Sequence, residues 1–377
     1  MSEPAPKLQA WGQLKPDAVY IKRAVDFEVA NALGTGQSCL VTASRQVGKS
    51  SLRVRLAEHL RQNQGVVACS IDLSRESGSY EGDWYRTLLR EIWKQVETQL
   101  PVSQSTSLDE FLTEHQEENW IQTWRSVILE LAKRSLSKKG LVLLFDEVES
   151  ALDRRSFFAG LRAAHEELRE HQDFRFAFCL LGKLATSGQL LSEGLQLVLK
   201  LPDLQRTQLP PFARPDLDGF IPALVFETSP DAQRRLLDEL YDWTHGQPYL
   251  TQRVLYELRR SSRQPDLKAE SLQAVVERCF LRKDRADDDY LAYAKYRIKV
   301  ERQTDAGTTR IESLLRLYRR VLLQAEQVPY QPDDPLQQEL LLLGICRVDG
   351  DRLVPASRIT KAVFDKAWIE QDRKSVV

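Results

Sequence analysis

A glycine, a lysine and a serine occupy positions 48–50, at the end of the octapeptide ASRQVGKS. Their spacing matches the phosphate-binding pattern G-x-x-x-x-G-K-[ST], with Ala43 in place of the first glycine. An apolar segment at 39–43 precedes the turn, and an amphipathic stretch with Leu52 and Leu56 follows it. This arrangement of strand, loop and helix is the context that the pattern requires, because backbone N–H groups at a helix N-terminus bind anions. The residues therefore predict a phosphate-binding loop.

The loop residues have separate predicted roles. Backbone N–H groups would surround a β-phosphate, the Lys49 ammonium would reach the β- and γ-phosphates, and the Ser50 hydroxyl would ligate Mg²⁺. A helix N-terminus that carries lysine and serine by chance is the alternative, and a second motif argues against it. The predicted nucleotide-binding residues of the loop are Ser44, Arg45, Gln46, Val47, Gly48, Lys49, Ser50 and Ser51.

Two carboxylates, Asp146 and Glu147, follow the apolar run LVLLF at 141–145. Such a run is typical of a strand buried on both faces of a parallel sheet. Asp146 is placed to hold the water shell of a magnesium ion beside the phosphate loop, and Glu147 to activate the attacking water. Two acids after a strand could instead belong to a solvated loop. Together with the upstream loop, however, they predict a magnesium-dependent ATPase with Glu147 and Lys49 as catalytic residues.

Polar residues also follow a strand predicted at 174–181. A group at this position could sense the γ-phosphate, and Thr186 is the predicted sensor in preference to Lys183. An ordinary exit from a strand explains the same residues equally well. If the ATPase assembles, an arginine from a neighbouring chain would stabilise the transition state. Arg162 is the candidate for this arginine finger, among the arginines that follow the acidic pair at Arg154, Arg155 and Arg162.

The elements that position these residues predict an α/β fold. Strands alternate with helices, which favours a parallel sheet, and they are expected at about 39–43, 66–73, 141–145, 174–181 and 195–201. Beyond LPPF at 209–212, helices are expected at 215–225, 230–243, 248–261 and 267–279. Helices at 311–326 and 335–343, a ribbon that turns at 349–351 and a last helix at 359–369 have the order typical of a winged-helix domain. The predicted units are a loose N-terminal arm (1–19), an ATPase core (20–209), a helical lid (210–281), a charged connector (282–309) and a winged-helix domain (310–377).

Composition limits the functional classes. The chain has 377 residues, 42% of them hydrophobic, and a formal net charge of -1, which argues against a strongly basic nucleic-acid-binding protein. The five cysteines have no metal-ligand spacing and are expected to be buried thiols in a reducing cytoplasm. Neither a signal peptide nor an apolar run near the roughly 18 residues of a membrane span is present. We therefore expect a cytoplasmic protein with no membrane span.

The motifs resemble those of the STAND/AAA-like P-loop ATPases of bacteria, in the additional-strand class of P-loop NTPases. The resemblance covers almost the whole chain and is carried by YIKRAVD at 20–26, SRQVGKSSLR at 44–53, FDE at 145–147 and WTHGQPYLTQ at 243–252. It implies that Tyr20 and Arg23 lie near the adenine. It also implies that Pro248, in the G-x-P pattern of the helical lid, contacts the base or closes the lid over it.

The resemblance implies a molecular switch or scaffold that binds ATP or ADP with Mg²⁺ and hydrolyses ATP slowly. Nucleotide state would then control self-assembly or a protein partner. The chain departs from the family at His245, Ser357 and Thr360, where relatives more often have Gly, Asn and Tyr. Two alternatives stay open, a DNA-associated winged-helix ATPase and a nucleotide-binding module without turnover. Nucleic acid is the disfavoured partner, because the candidate recognition helix at 335–343 carries Glu339 and no Arg or Lys.

Overall fold

The protein is described from a computed structural model, which covers residues 7–12, 14–15, 17–75, 81–100, 107–114, 119–170, 174–183, 192–227, 229–262, 271–282, 288–301 and 305–374. The strands in these ranges are β1 (Cys39–Thr42), β2 (Val67–Asp72), β3 (Gly140–Asp146), β4 (Arg175–Gly182), β5 (Gln205–Gln208), β6 (Cys346–Asp349) and β7 (Arg352–Pro355). The α-helices of the first half are α1 (Ala24–Gly34), α2 (Lys49–His59), α3 (Glu81–Glu97), α4 (Leu108–Glu114), α5 (Trp120–Arg134), α6 (Arg155–Leu168) and α7 (Glu193–Leu199). Those of the second half are α8 (Pro230–Thr244), α9 (Pro248–Ser261), α10 (Leu272–Val276), α11 (Asp289–Glu301), α12 (Asp305–Gln324), α13 (Pro335–Leu342), α14 (Arg358–Val363) and α15 (Lys366–Lys374).

The first five strands form one parallel sheet in the order β2-β3-β4-β1-β5. Strand β4 lies between β1, which leads into the glycine-lysine-serine turn, and β3, which ends at Asp146. This inserted strand defines the additional-strand class and confirms the predicted fold class. Because parallel strands end at the same edge, the residues after β1, β3 and β4 meet there. The sheet therefore brings together the two sequence motifs.

Both faces of the sheet are covered by helices, as the continuous apolar strands predict. All seven residues of β3 are buried. One face packs against α3, α5 and α6, whose tryptophans and phenylalanines are part of the core, among them Trp84, Trp124 and Phe157. The other face packs against α1 and α2 through side chains such as Val29 and Leu52. Trp84 and Trp93 of α3 and Trp124 of α5 are buried in the core of the first face.

The predicted strand at 195–201 is wrong. This segment forms α7, in which Leu195 and Val198 are buried at helical spacing and the Ser192 side chain accepts a hydrogen bond from Leu195 N. The fifth strand is β5, whose residues Gln205–Gln208 are partly or fully exposed. It is an edge strand, and its polar sequence lacks the apolar run that marks a buried strand.

Residues 210–374 are predominantly helical, in the order expected from the sequence. A 3₁₀ segment at Arg214–Ala223 precedes α8 and α9, and the later helices enclose the two-stranded β6-β7 ribbon. The predicted last helix is broken at the buried Phe364, where Asp365 Oδ1 accepts a hydrogen bond from Trp368 N to begin α15. The order helix, helix, hairpin, helix is present, and its assignment as a winged helix stays a prediction. Within the described ranges, no helix combines the length and the apolar character needed to cross a bilayer.

The N-terminal arm is packed rather than loose over its described residues. Leu8 and Ala10 are buried, and Lys7 N donates to Asp17 O at 3.0 Å. Leu8 belongs to the same apolar cluster as Leu250 of α9. The arm therefore lies against the helical half of the chain, and it reaches the end of β1 from that side.

Candidate functional site

The loop between β1 and α2 makes a tight turn. Gly48, directly before α2, has a φ of 96°, which favours glycine, and Gln46 has a φ of 56°. Ala43 does not have a positive φ, and its N–H donates to Gly182 O at 3.1 Å. Alanine therefore fits where the pattern has its first glycine, because residue 43 simply extends the pairing of β1 with β4.

Lys49 and Asp146 are both buried at the edge of the sheet. Burial lowers the pKa of the Lys49 ammonium, and the carboxylates of Glu147 and Glu149 oppose the shift. Burial raises the pKa of the Asp146 carboxyl, which the Ser50 hydroxyl and then the Arg53 guanidinium oppose. Burial thus disfavours the charged form of both groups, and the neighbouring charges and hydrogen bonds offset part of that effect.

The residues around Asp146 fit a magnesium ion bound to a nucleotide. Asp146 Oδ1 accepts from Glu147 N at 2.9 Å, whereas Oδ2 accepts no hydrogen bond from the described residues and lies 3.9 Å from Arg53 Nε. The described residues contain no group of three or more His, Cys, Asp or Glu side chains arranged to hold a metal ion. Mg²⁺ commonly takes one or two protein oxygens and completes its shell with phosphates and water. Asp146 and Ser50 match that donor set.

Glu147 is held by a lysine that follows β4. Lys183 Nζ lies 2.9 Å from Glu147 Oε2 and 3.0 Å from Glu149 Oε1, and Lys183 N donates to Glu149 Oε2 at 3.0 Å. Burial alone would raise the pKa of the Glu149 carboxyl, but the Lys183 ammonium and the hydrogen bonds to this carboxyl together outweigh burial, and the pKa lies below its usual value. Glu147 has a φ of 54°, a conformation that is rare for a glutamate. Glu147, Glu149 and Lys183 thus form a fixed ionic cluster beside the phosphate loop.

A cavity of about 410 Å³ lies over the loop and this cluster. Its walls come from the phosphate loop, the ends of β3 and β4, the N-terminus of α9 and the N-terminal arm. The lining residues are Ala10, Trp11, Gly12, Leu14, Arg45, Gln46, Gly48, Lys49, Ser50, Ser51, Glu147, Lys183, Pro248, Tyr249 and Gln252. The charged lining residues come from the loop and from the ends of β3 and β4, whereas the arm and α9 contribute uncharged ones.

Most of the predicted loop residues reach this cavity. Arg45, Gln46 and 48–51 line it, as do Glu147 and Pro248. The side chain of Val47 is buried, and Ser44 lies at the start of the loop, partly exposed. Asp146 is buried beside the cavity. Their roles in nucleotide binding stay predictions.

Tyr20 and Arg23 do not line the cavity. Arg23 Nη1 donates to Val47 O at 2.9 Å and to Pro210 O at 3.0 Å, and its side chain is buried. The Tyr20 hydroxyl donates to Asp26. Arg23 thus supports the loop at Val47, and the prediction that these two residues lie near the adenine stays a prediction. The arm residues Ala10, Trp11, Gly12 and Leu14 line the cavity.

The predicted sensor and the predicted arginine finger both stay predictions. Thr186 lies outside the described residues. Arg162, on α6, pairs with Glu166 Oε1 at 2.7 Å and donates to Leu197 O at 3.3 Å. It does not line the cavity, so a role as an arginine finger toward a neighbouring chain stays a prediction.

The helical half of the chain touches the loop directly. Gln247 Nε2 donates to the carbonyl oxygens of Arg45, at 3.4 Å, and Gln46, at 3.3 Å. The Arg45 guanidinium lies over the Tyr293 ring, 3.8 Å from its centroid. The spacing of residues in the sequence does not indicate either of these contacts. The sequence does indicate Lys183, because it directly follows a buried strand that ends at the same edge of the sheet as the phosphate loop.

Comparisons with known proteins agree with this geometry. The sequence profile described as the AAA-like domain matches residues 12–365. An uncharacterized WD repeat-containing protein of Synechocystis sp. is 27% identical over 372 residues, which cover 94% of this chain and 29% of that protein. The chain thus spans less than a third of the length of this relative.

Similarity also extends to solved structures. A Walker-type ATPase of Pyrococcus abyssi superposes with a TM-score of 0.59 at 12% identity, over 94% of this chain and 99% of that chain. Cdc6p of Pyrobaculum aerophilum gives a TM-score of 0.45 at 15% identity, over 96% of this chain and 97% of that chain. The core has the fold of the P-loop ATPases, and the chain belongs to the AAA-like domain family.

Proposed function

We propose that the cavity binds ATP or ADP with Mg²⁺, that the chain hydrolyses ATP slowly, and that the bound nucleotide sets its assembly state or its binding to a protein partner. The observation that carries the proposal is the convergence of Lys49, Ser50 and Asp146 at the N-terminus of α2. This arrangement combines an anion-binding helix end, a buried cation and a magnesium-ligating pair.

Nucleotide binding follows from the loop. The N–H groups at the start of α2 would bind a β-phosphate. Because Lys49 is buried, its positive charge is unfavourable unless an anion lies close to it. When bound, Mg²⁺ would offset the negative charge of the phosphates. The base would then lie toward Pro248 and the arm, where the lining is less charged.

Slow turnover follows from the ionic cluster. Glu147 is the carboxylate placed to take a proton from an attacking water. Its Oε2 lies 2.9 Å from the Lys183 ammonium, which competes with water for the same oxygen. Hydrolysis would therefore require this contact to loosen. Arg162 of a neighbouring chain is the candidate to supply further positive charge in an assembly.

A switch or scaffold role is supported by the contacts between the loop and the helical half. Gln247 and Tyr293 both reach the loop from helices beyond the sheet. The relative in Synechocystis carries WD repeats by name, and this chain matches only 29% of it. An output through a protein surface fits such an arrangement, with the predicted winged helix packing against the lid in a nucleotide-dependent way.

DNA binding is less well supported. In α13 the side chains of Gln337 and Gln338 are buried, and Glu339 Oε2 pairs with Arg310 at 2.8 Å. A helix that reads a major groove needs exposed donors and a basic surface. The polar side chains of α13 are used for packing within the chain.

The proposal is tested by hydrolysis and assembly assays on one preparation. Phosphate release is measured with Mg-ATP for the wild type and Glu147→Gln, and molar mass is measured by light scattering with ADP and with a non-hydrolysable ATP analogue. We expect slow release by the wild type and at least about a hundredfold less by Glu147→Gln, with ATP binding retained. Equal release by both proteins would contradict the role of Glu147. Full ATP binding with no release would leave a binding module, and tight duplex-DNA binding would favour the DNA-associated alternative.

A further inference from the structure

The phosphate loop contacts helix α11 through one aromatic ring. The Arg45 guanidinium lies 3.8 Å from the centroid of the Tyr293 ring, a cation–π contact. Arg45 also lines the cavity. The same guanidinium therefore borders the predicted phosphate site on one side and α11 on the other.

Helix α11 has a second link to the cavity. The hydroxyl of Tyr249, a cavity-lining residue of α9, donates to Asp288 Oδ2 at 2.7 Å, directly before α11 begins. The rings of Tyr249 and Tyr290 are 5.9 Å apart. The start of α11 is thus held to α9, whereas Tyr293, one turn further on, is held to the loop.

The same helix reaches the C-terminal part of the chain. The Tyr290 hydroxyl is buried and donates to Gly344 O at 2.8 Å, just before β6. Gly344 has a φ of 75°, and a side chain there would meet the Tyr290 hydroxyl at 2.6 Å. Leu291, Ala294 and Ile298 are buried in the apolar cluster shared with the C-terminal helices. Displacement of α11 would therefore displace its C-terminal neighbours.

We propose that nucleotide phosphates and the Tyr293 ring compete for Arg45, so that α11 carries the nucleotide state from the phosphate loop to the C-terminal part of the chain. A guanidinium forms short, charge-assisted hydrogen bonds with phosphate oxygens, which are stronger than a partly exposed cation–π contact. Phosphate in the cavity draws Arg45 from Tyr293 and loosens α11. The inference rests on the proposed function and names the residues that transmit its signal.

The test measures backbone amide exchange of residues 289–298 and ATP affinity in the full chain, with a non-hydrolysable ATP analogue as the probe. In the wild type we expect the analogue to speed exchange in α11 by at least about threefold. Tyr293→Leu removes the ring, so exchange should be fast with or without the analogue. Because the competitor for Arg45 is gone, the analogue should bind roughly fivefold tighter.

Two control variants separate this mechanism from a general loss of structure. Tyr293→Phe keeps the ring face and should behave as the wild type in both measurements. Tyr296→Leu changes an exposed tyrosine on the same helix and should also match the wild type. Unchanged exchange in a wild type that binds the analogue, or unchanged affinity in Tyr293→Leu, would overturn the inference alone. A wild type that binds no nucleotide would overturn the proposed function and the inference together.

Discussion

Lys183 Nζ lies 2.9 Å from Glu147 Oε2, so the carboxylate proposed to activate water is paired with a cation. The same ammonium is 3.0 Å from Glu149 Oε1. One lysine thus separates two carboxylates that would otherwise repel each other at the edge of the sheet. This relationship connects the ends of β3 and β4, and it is the reason that the proposed hydrolysis is expected to be slow.

Replacing this lysine tests whether it restrains Glu147. Lys183→Met removes the cation that competes with water for Glu147 Oε2, and we expect ATP hydrolysis to rise by at least about threefold with little change in ADP affinity. Lys138→Met, at an exposed lysine before β3, is the control and should keep wild-type activity. A fall in phosphate release by Lys183→Met would instead show that the lysine holds Glu147 in position for hydrolysis.

Gln247 tests the contact between lid and loop. Its Oε1 accepts from Leu250 N at 2.7 Å as the cap of α9, and its Nε2 donates to the two loop carbonyls. Gln247→Glu keeps the cap acceptor and removes the donors, placing a carboxylate near the expected phosphates. We expect ADP affinity to fall by about tenfold and the melting temperature to fall as well, because a buried carboxylate then faces two carbonyl oxygens. Gln233→Glu, on α8, is the control, and equal ADP affinity in both variants would contradict the role of Gln247.

Gly246 tests the connection between α8 and α9. It has a φ of 68°, and a side chain there would meet Phe212 O at 1.9 Å. Gly246→Ala should lower the free energy of unfolding by at least about 3 kcal/mol, since it adds a backbone clash to the strained φ. Gly350 has a φ of 60°, and a side chain there would meet nothing within 4 Å. Gly350→Ala should therefore lower the free energy of unfolding by only about 1 kcal/mol. Urea unfolding compares the two, and similar losses would contradict the tight packing of this turn.

The buried imidazole of His165 should make the stability of the protein depend on pH. Its ring is fully buried beside Phe178, and neither ring nitrogen has a hydrogen-bond partner among the described residues. Burial lowers the pKa of this imidazole below 6.5. The unfolded chain therefore binds a proton first as the pH falls below 6.5, and stability drops by at most about 1.4 kcal/mol per pH unit until the folded pKa is reached. Urea unfolding between pH 7.5 and 5 should show a smaller drop for His165→Leu than for the wild type, and identical drops would exclude this imidazole as the cause.

The parts of the site that the sequence predicts are those encoded within a few residues. The loop at 43–50 and the acidic pair Asp146–Glu147 each combine a strand pattern with chemistry at its end, so local spacing is sufficient. The buried strands are predicted for the same reason. The edge strand β5 is not, because its sequence QRTQ has no apolar run, and the apolar spacing before it belongs to α7.

Contacts between distant segments could not be predicted in the same way. Tyr20 and Arg23 carry the family resemblance, yet the arm around Trp11 lines the cavity and Arg23 supports the loop from beneath. Nothing near Tyr293 in the sequence indicates that it faces Arg45, which is far away along the chain. These relationships depend on how the helical half packs against the sheet.

The central claim is that this loop binds a nucleotide, and an equilibrium titration tests it most directly. Any copurifying nucleotide is first removed, and Mg-ATP binding is then measured by calorimetry for the wild type, Lys49→Ala and Lys200→Ala, the last an exposed lysine after α7. We predict one ATP per chain for the wild type and Lys200→Ala, and at least about a hundredfold weaker binding for Lys49→Ala. Wild-type affinity in Lys49→Ala, or no binding by the wild type, would contradict the account.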